Sequence, residues 1–207
     1  MNWNISERDE LQASYAFDQY DKSDYQRITR LDVRDYSNVQ NSIRMLYNHS
    51  LNNGDMLTIG ADYMHDYLYN TNLDGETRKQ DTWDVFAQYD WRITDKWEVV
   101  GALRYDYLSD RRESHLTPKF NICYRPLRNL ALRAGYGMGF RAPTLKEKYY
   151  NFDMSGIWIV EGNADLKSEV SHNFNLSAEY TKGRYNLTAS AYYNKVRNKL
   201  STSAPYF

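Results

Sequence analysis

The chain has 207 residues and a formal net charge of −1, with no Lys/Arg run of five or more, so nothing global points to a nucleic-acid partner. Mean hydropathy is −0.81 and no run of 18 apolar residues occurs; this excludes a transmembrane helix but not a barrel, whose alternating strands average out as polar. Twenty tyrosines among 15% aromatics favour strands and membrane interfaces, and the single Cys123 excludes an internal disulfide.

In chain order, strict alternation predicts nine strands over residues 10–20, 33–51, 55–69, 81–93, 96–109, 116–125, 129–141, 170–181 and 184–200. The opening "MNWNISERDE" has neither a basic n-region nor an apolar core and does not read as a secretory leader. In "TWDVFAQYDW", Trp83, Val85, Ala87, Tyr89 and Trp91 share one face and Asp84, Phe86, Gln88 and Asp90 the other. In "WEVVGALRYDY" and "YNLTASAYY" the same split recurs, with Tyr and Trp near strand ends and Val, Leu, Ala and Gly between them. Most of these strands reach or exceed the roughly 9–11 residues that a tilted strand needs to cross a bilayer. Turns expected to be short, at 6–9, 52–55, 94–96, 126–129 and 181–184, alternate with loops expected to be long, at 21–32, 70–80, 110–115 and 142–169. Short turns at one end, long loops at the other and aromatic girdles are the pattern of an outer-membrane barrel. The expected fold class is therefore all-β: an antiparallel up-and-down transmembrane β-barrel, here an incomplete barrel of about nine long strands.

In strand 129–141 the alternation turns Leu130, Leu132, Ala134, Tyr136 and Met138 to lipid. It turns Arg133, Gly135, Gly137, Gly139 and Arg141 inward, where three glycines would leave room for a close neighbour. The inward set of the other strands is charged with mixed sign. It includes Arg44, Asp62, Asp66, Asp84, Arg104, Asp106, Lys119 and Glu179, and it predicts cross-strand pairs lining a wet lumen rather than a catalytic group.

"GFRAPTLKEKYYNF" (139–152), followed by "EGNADLKSEVSHNFNLSAEY" (161–180), closely resembles the TonB-dependent outer-membrane receptors. The first box is complete in Gly139, Phe140, Arg141, Ala142 and Pro143. In the second, Gly162 to Glu169, Ala164 and Ser168 stand where the family usually has proline. The specific resemblance covers about residues 116–181, including the hairpin "LTPKFNICYRP". It implies a barrel of about 22 strands around an N-terminal plug, a size class that plugged transporters share. It implies capture of an iron-siderophore, cobalamin or similarly large scarce nutrient, driven through the TonB–ExbB–ExbD complex. On this reading the chain is an internal fragment, with the plug, the TonB-contacting segment and the closing strand outside it. The plug would then occupy the space beside the three glycines. An adhesin or structural barrel whose loops bind a surface partner is the alternative.

Other chemistry is thin. There is no HExxH, Walker loop or CxxC, and Gly135-x-Gly137-x-Gly139 lacks the helix of a dinucleotide fingerprint. The four histidines are scattered, and residues 144–162 contain none, which counts against haem. Asn70, Asn72, Asp74 and Asp81 echo calcium-loop spacing, but Asn, Asp and Gly dominate ordinary turns for backbone reasons, so no metal site or cofactor is expected. His65 and Asp66 point to opposite faces and make no hydrolase pair. Loop 142–169 carries an apolar cluster, of which Tyr149, Tyr150, Phe152 and Trp158 are the candidate ligand contacts; loop–loop packing is the competing account.

Overall fold

The computed structural model describes residues 1–71, 73, 77–149, 152–153 and 159–202, with the side chains of 152, 153 and 159 outside the description. Ten strands form one antiparallel sheet in chain order. They are β1 (Asn2–Asn4), β2 (Asp9–Gln26), β3 (Leu31–Ser50), β4 (Met56–Asn70), β5 (Thr77–Thr94), β6 (Trp97–Leu108), β7 (Glu113–Leu127), β8 (Leu130–Arg141), β11 (Glu169–Lys182) and β12 (Tyr185–Arg197). Between β8 and β11 lie a five-residue helix, α1 (Leu145–Tyr149), and a small hairpin of β9 (Phe152–Asp153) and β10 (Ile159–Val160). All nine expected strands are present, and β1 is an addition, pairing Trp3 with Leu11.

Three expected loops are corrected. β2 runs to Gln26 and β3 starts at Leu31, so 21–32 is mostly hairpin; likewise β5 starts at Thr77 and β7 at Glu113. Polar residues there signal water, not loss of the ladder. Lys22 reaches Asp35 at 2.8 Å, and Arg34 reaches Asp21 at 3.5 Å across the β2–β3 pair. Strands of 18 and 20 residues overrun the roughly 9–11 that span a bilayer, so their polar ends project beyond it. Only 142–168 remains a long connection. Tight turns close the opposite end, with Gly54 and Gly183 at φ +86° and +59°, where a Cβ would be strained.

The outer face is apolar and exposed. Leu176 is 61% exposed and Leu187 68%, beside Ile59, Val85, Leu103, Phe120 and Phe174. Buried hydrophobics among the described residues are few: Leu68, Leu73, Leu108 and Leu145. A water-soluble sheet would turn its apolar face to a core; this one turns it outward, as a lipid-facing wall does. Trp97 stacks on Tyr124 at 4.1 Å, and Tyr63 packs on Trp83 at 4.2 Å, towards opposite ends of the outer face. No described helix is long and apolar enough to cross a membrane.

Candidate functional site

The inner face begins from register. Asp62, Asp84 and Asp106 stand directly opposite one another on β4, β5 and β6, with Arg44 of β3 at one end of the row and His115 of β7 at the other. Like charges placed opposite each other destabilise a sheet. Two arginines offset this. Arg44 grips Asp62 with Nε and Nη2, both at 2.7 Å. Arg104 reaches Asp84 at 2.9 Å, Asp106 at 2.8 Å and Asp62 at 3.6 Å. Apart from Arg104–Asp106, which lies within β6, these are the cross-strand pairs expected of the inward charges.

Towards the long connection the ladder between β7 and β8 ends at Lys119–Gly137, whereas β8 stays paired with β11 as far as Arg141–Glu169. Pro118 offers no N–H at the next step. Above it, His115 stacks on Phe140 at 4.2 Å.

Pro143 then turns the chain back over the inner face. Thr144 and Glu147 form a reciprocal cap on α1: the Glu147 N–H donates to Thr144 Oγ1 at 3.2 Å, and the Thr144 N–H donates to Glu147 Oε2 at 2.9 Å. Arg141 also pairs with Glu147. Burial pushes the Glu147 carboxyl up, but its bonds from the Thr144 N–H, Arg141 and the Thr144 hydroxyl outweigh this and hold it below the ordinary 4.5. Leu145, 1% exposed, drops between Leu68 and Leu73 beside Tyr36 and Tyr149. Burying one such leucine contributes about 1.5–3 kcal/mol. Lys148, itself buried, bonds Asp110 at 2.6 Å, and Arg111 donates to the Leu166 carbonyl at 2.6 Å. The returning limb closes on the helix so tightly that a Cβ on Gly162 would lie 2.7 Å from the Lys148 carbonyl.

Tyr149 is half-buried, donates to Asp110 at 3.3 Å and lies under the Arg78 guanidinium at 4.9 Å. Burial and the Asp110 charge push its phenol up. Tyr150 and Trp158 lie outside the described residues, and for Phe152 only the backbone, in β9, is described. Gly135 shares the inner face with Arg133, whose guanidinium pairs with Glu179 at 2.8 Å. The space over Gly135 is filled from within the sheet: an added Cβ would meet Asn121 Oδ1 at 2.5 Å and Asn175 Nδ2 at 2.7 Å. This corrects the expectation that all three glycines leave room for a plug. Gly139 faces Ser171 Oγ at 3.1 Å, and Gly137 is nearly open.

The histidines are engaged locally: His49 with Asp9, His65 with Asp81, His115 with Phe140 and His172 with Tyr136. Sequence reading missed α1, Leu145, Asp110 and Arg111. The Thr-x-x-Glu cap behind Pro143 was the signal for the first two; nothing local marks the others.

Residues 1–206 match the family described as TonB dependent receptor-like, beta-barrel. The chain belongs to the TonB-dependent receptors. The family places it in the outer membrane of a Gram-negative bacterium. Among relatives of this receptor chain, a vitamin B12 transporter, BtuB, of Photobacterium profundum is 29% identical over 64% of the chain and 20% of its own length. An iron-regulated outer membrane virulence protein of Vibrio cholerae is 28% identical over 62% and 20%. The receptor chain therefore spans about a fifth of the curated relatives it matches. A siderophore receptor, PirA, of Acinetobacter baumannii shares the fold with a TM-score of 0.73 at 18% identity, covering 96% of the chain and 34% of that structure.

Proposed function

We propose that this chain forms wall and mouth of a receptor that captures an iron-siderophore or cobalamin at the extracellular end and imports it. A plug and TonB–ExbB–ExbD would act from beyond these 207 residues. The observation that carries this reading is the asymmetry of the two sheet ends. One end is closed by tight turns; at the other, one long connection folds back over the inner face, held by Leu145, Lys148 and Arg111. A purely structural barrel has no need of a fastened segment above its lumen. The named B12 transporter and siderophore receptor support this class of cargo. Tyr149, Tyr150, Phe152 and Trp158 are the proposed ligand contacts at the mouth. Arg133, Gly135, Gly137, Gly139 and Arg141 are the proposed wall towards lumen and plug, with Gly137 the most open of the three glycines.

The test is uptake of radiolabelled ferric chelates and cobalamin by cells expressing the complete reading frame, with and without TonB. TonB-dependent accumulation of one cargo is expected. Replacing the four aromatics by Ala should weaken its binding at least tenfold, the effect of losing about 1.4 kcal/mol. Accumulation that is absent, or indifferent to TonB, overturns the import reading; unchanged affinity overturns the mouth residues alone.

A further inference from the structure

The row Asp62–Asp84–Asp106 is under-compensated. With Asp66, whose carboxylate accepts from Asn38 at 2.8 Å, four carboxylates meet two arginines. Asp84 and Asp106 are 5% and 1% exposed, yet Asp84 Oδ1 and Asp106 Oδ2 accept no hydrogen bond from any described residue, and neither does Oε1 of buried Gln80. A buried carboxylate oxygen left without a donor costs more than its lost bond, because desolvation is not offset. Asp106, Gln80 and Asp66 line one cavity of about 430 Å³, walled on the other side by Phe140, Pro143 and Thr144. Among the described residues, only Arg44 and Arg104 form ion pairs with the row; Lys119 sits two inward-facing rows away, opposite Ala102 and Gly137. The described residues form no group of His, Cys, Asp and Glu suited to a metal ion. Arg104 also lines the cavity, so what the cavity offers is several acceptors, two carboxylates against one guanidinium, and apolar walls.

We infer that this cavity is a binding site for a guanidinium or ammonium group. A planar guanidinium could donate to Asp106 Oδ2 and Gln80 Oε1 together while neutralising the row, and charge-assisted bonds of this kind are the strong ones. Two sources carry the same chemistry: a diffusible ligand with a basic group, or a basic side chain from elsewhere in the complete polypeptide. The site is independent of the import reading, since binding at the wall needs no transport.

The experiment uses the complete receptor purified in detergent. It is titrated with arginine amide carrying a fluorophore on its α-nitrogen, and with the uncharged citrulline counterpart. A diffusible source predicts that the arginine probe binds roughly tenfold or more tighter, as one charge-assisted hydrogen bond would give. Asp106→Asn should abolish that preference. Gln80→Met should reduce it without touching the Arg104 pairs, which guards against misfolding of the first variant. An internal source predicts no probe preference, but a lower unfolding midpoint in both Asp106→Asn and Gln80→Met, the second of which leaves the Arg104 pairs intact. No preference together with an unchanged or raised midpoint, as relief of opposed like charges would produce, overturns the site.

Discussion

The inner face consists of two unlike walls. From β3 to β6 it is built of charge: arginines and aspartates set in register, with an aromatic ring, Phe86, lying over Gly60. From β7 through β8 to β11 small and neutral groups predominate around the single Arg133–Glu179 pair: Asn121 and Asn175 meet above Gly135, and Ser171 stands against Gly139. The first wall is held by few, strongly coupled contacts. The second is held by packing that leaves Gly137 uncovered. Substitutions should therefore do concentrated damage on the first wall and graded damage on the second.

The sharpest break is Arg104→Met. It leaves Asp84 and Asp106 buried and unpaired, and a cost of about 2–4 kcal/mol is expected, below the full buried-pair penalty because Arg104 is itself partly exposed. Arg133→Met on the other wall removes one pair between two half-exposed groups and should cost about 0–1 kcal/mol. Urea midpoints of the complete receptor in detergent give both numbers. Equal losses would dissolve the distinction between the walls.

Next comes the segment that bridges the walls. Gly162→Ala places a Cβ against rigid backbone, 2.7 Å from the Lys148 carbonyl carbon and oxygen. Overpacking of this kind costs about 1–3 kcal/mol. It should appear as faster proteolysis between 142 and 168 with an unchanged barrel midpoint. A uniform loss across the sheet would mean that the segment and the walls unfold as one unit.

Gly135→Ala should cost about 1 kcal/mol, since the side-chain amides of Asn121 and Asn175 can swing aside. Gly137→Ala meets only Lys119 Cγ at 4.0 Å and should be neutral, or stabilise by up to about 0.5–1 kcal/mol through the unfolded state. Asn121→Ala should rescue Gly135→Ala if the side-chain contact is the cause.

The strands were legible because alternation survives in single residues, and the lipid-facing set followed from it. The extent of the loops was not. Asp21, Lys22 and Asp24 look like loop residues by composition, but they are strand residues that the β2–β3 ladder carries into water. The aspartate row was half legible. Asp62, Asp84 and Asp106 are each 22 residues from the next, and all read as inward. That they face one another depends on the lengths of two turns and on the bulge at Arg92/Thr94, none of which alternation determines. The roles of Asp110 and Arg111 depend on a segment nearly forty residues or more downstream, so no local pattern could announce them.

The smallest effect concerns the cap that starts the bridging segment, and its sign follows from the depressed Glu147 carboxyl. A group held below its unfolded value of 4.5 contributes stability above that pH and loses it as pH falls through the folded value. A nitroxide at Lys146, introduced as Lys146→Cys in a Cys123→Ser background, should stay immobile at neutral pH and gain mobility only below about pH 4.5, because protonation removes the charge that Arg141 and the Thr144 N–H hold. Glu147→Gln keeps the shape and lacks the charge, so its label should be partly mobile at every pH and show no such transition. Were the two profiles to coincide, the anchor of α1 would be Leu145 in its pocket and Lys148 on Asp110, and the cap would be only a local finish to the helix.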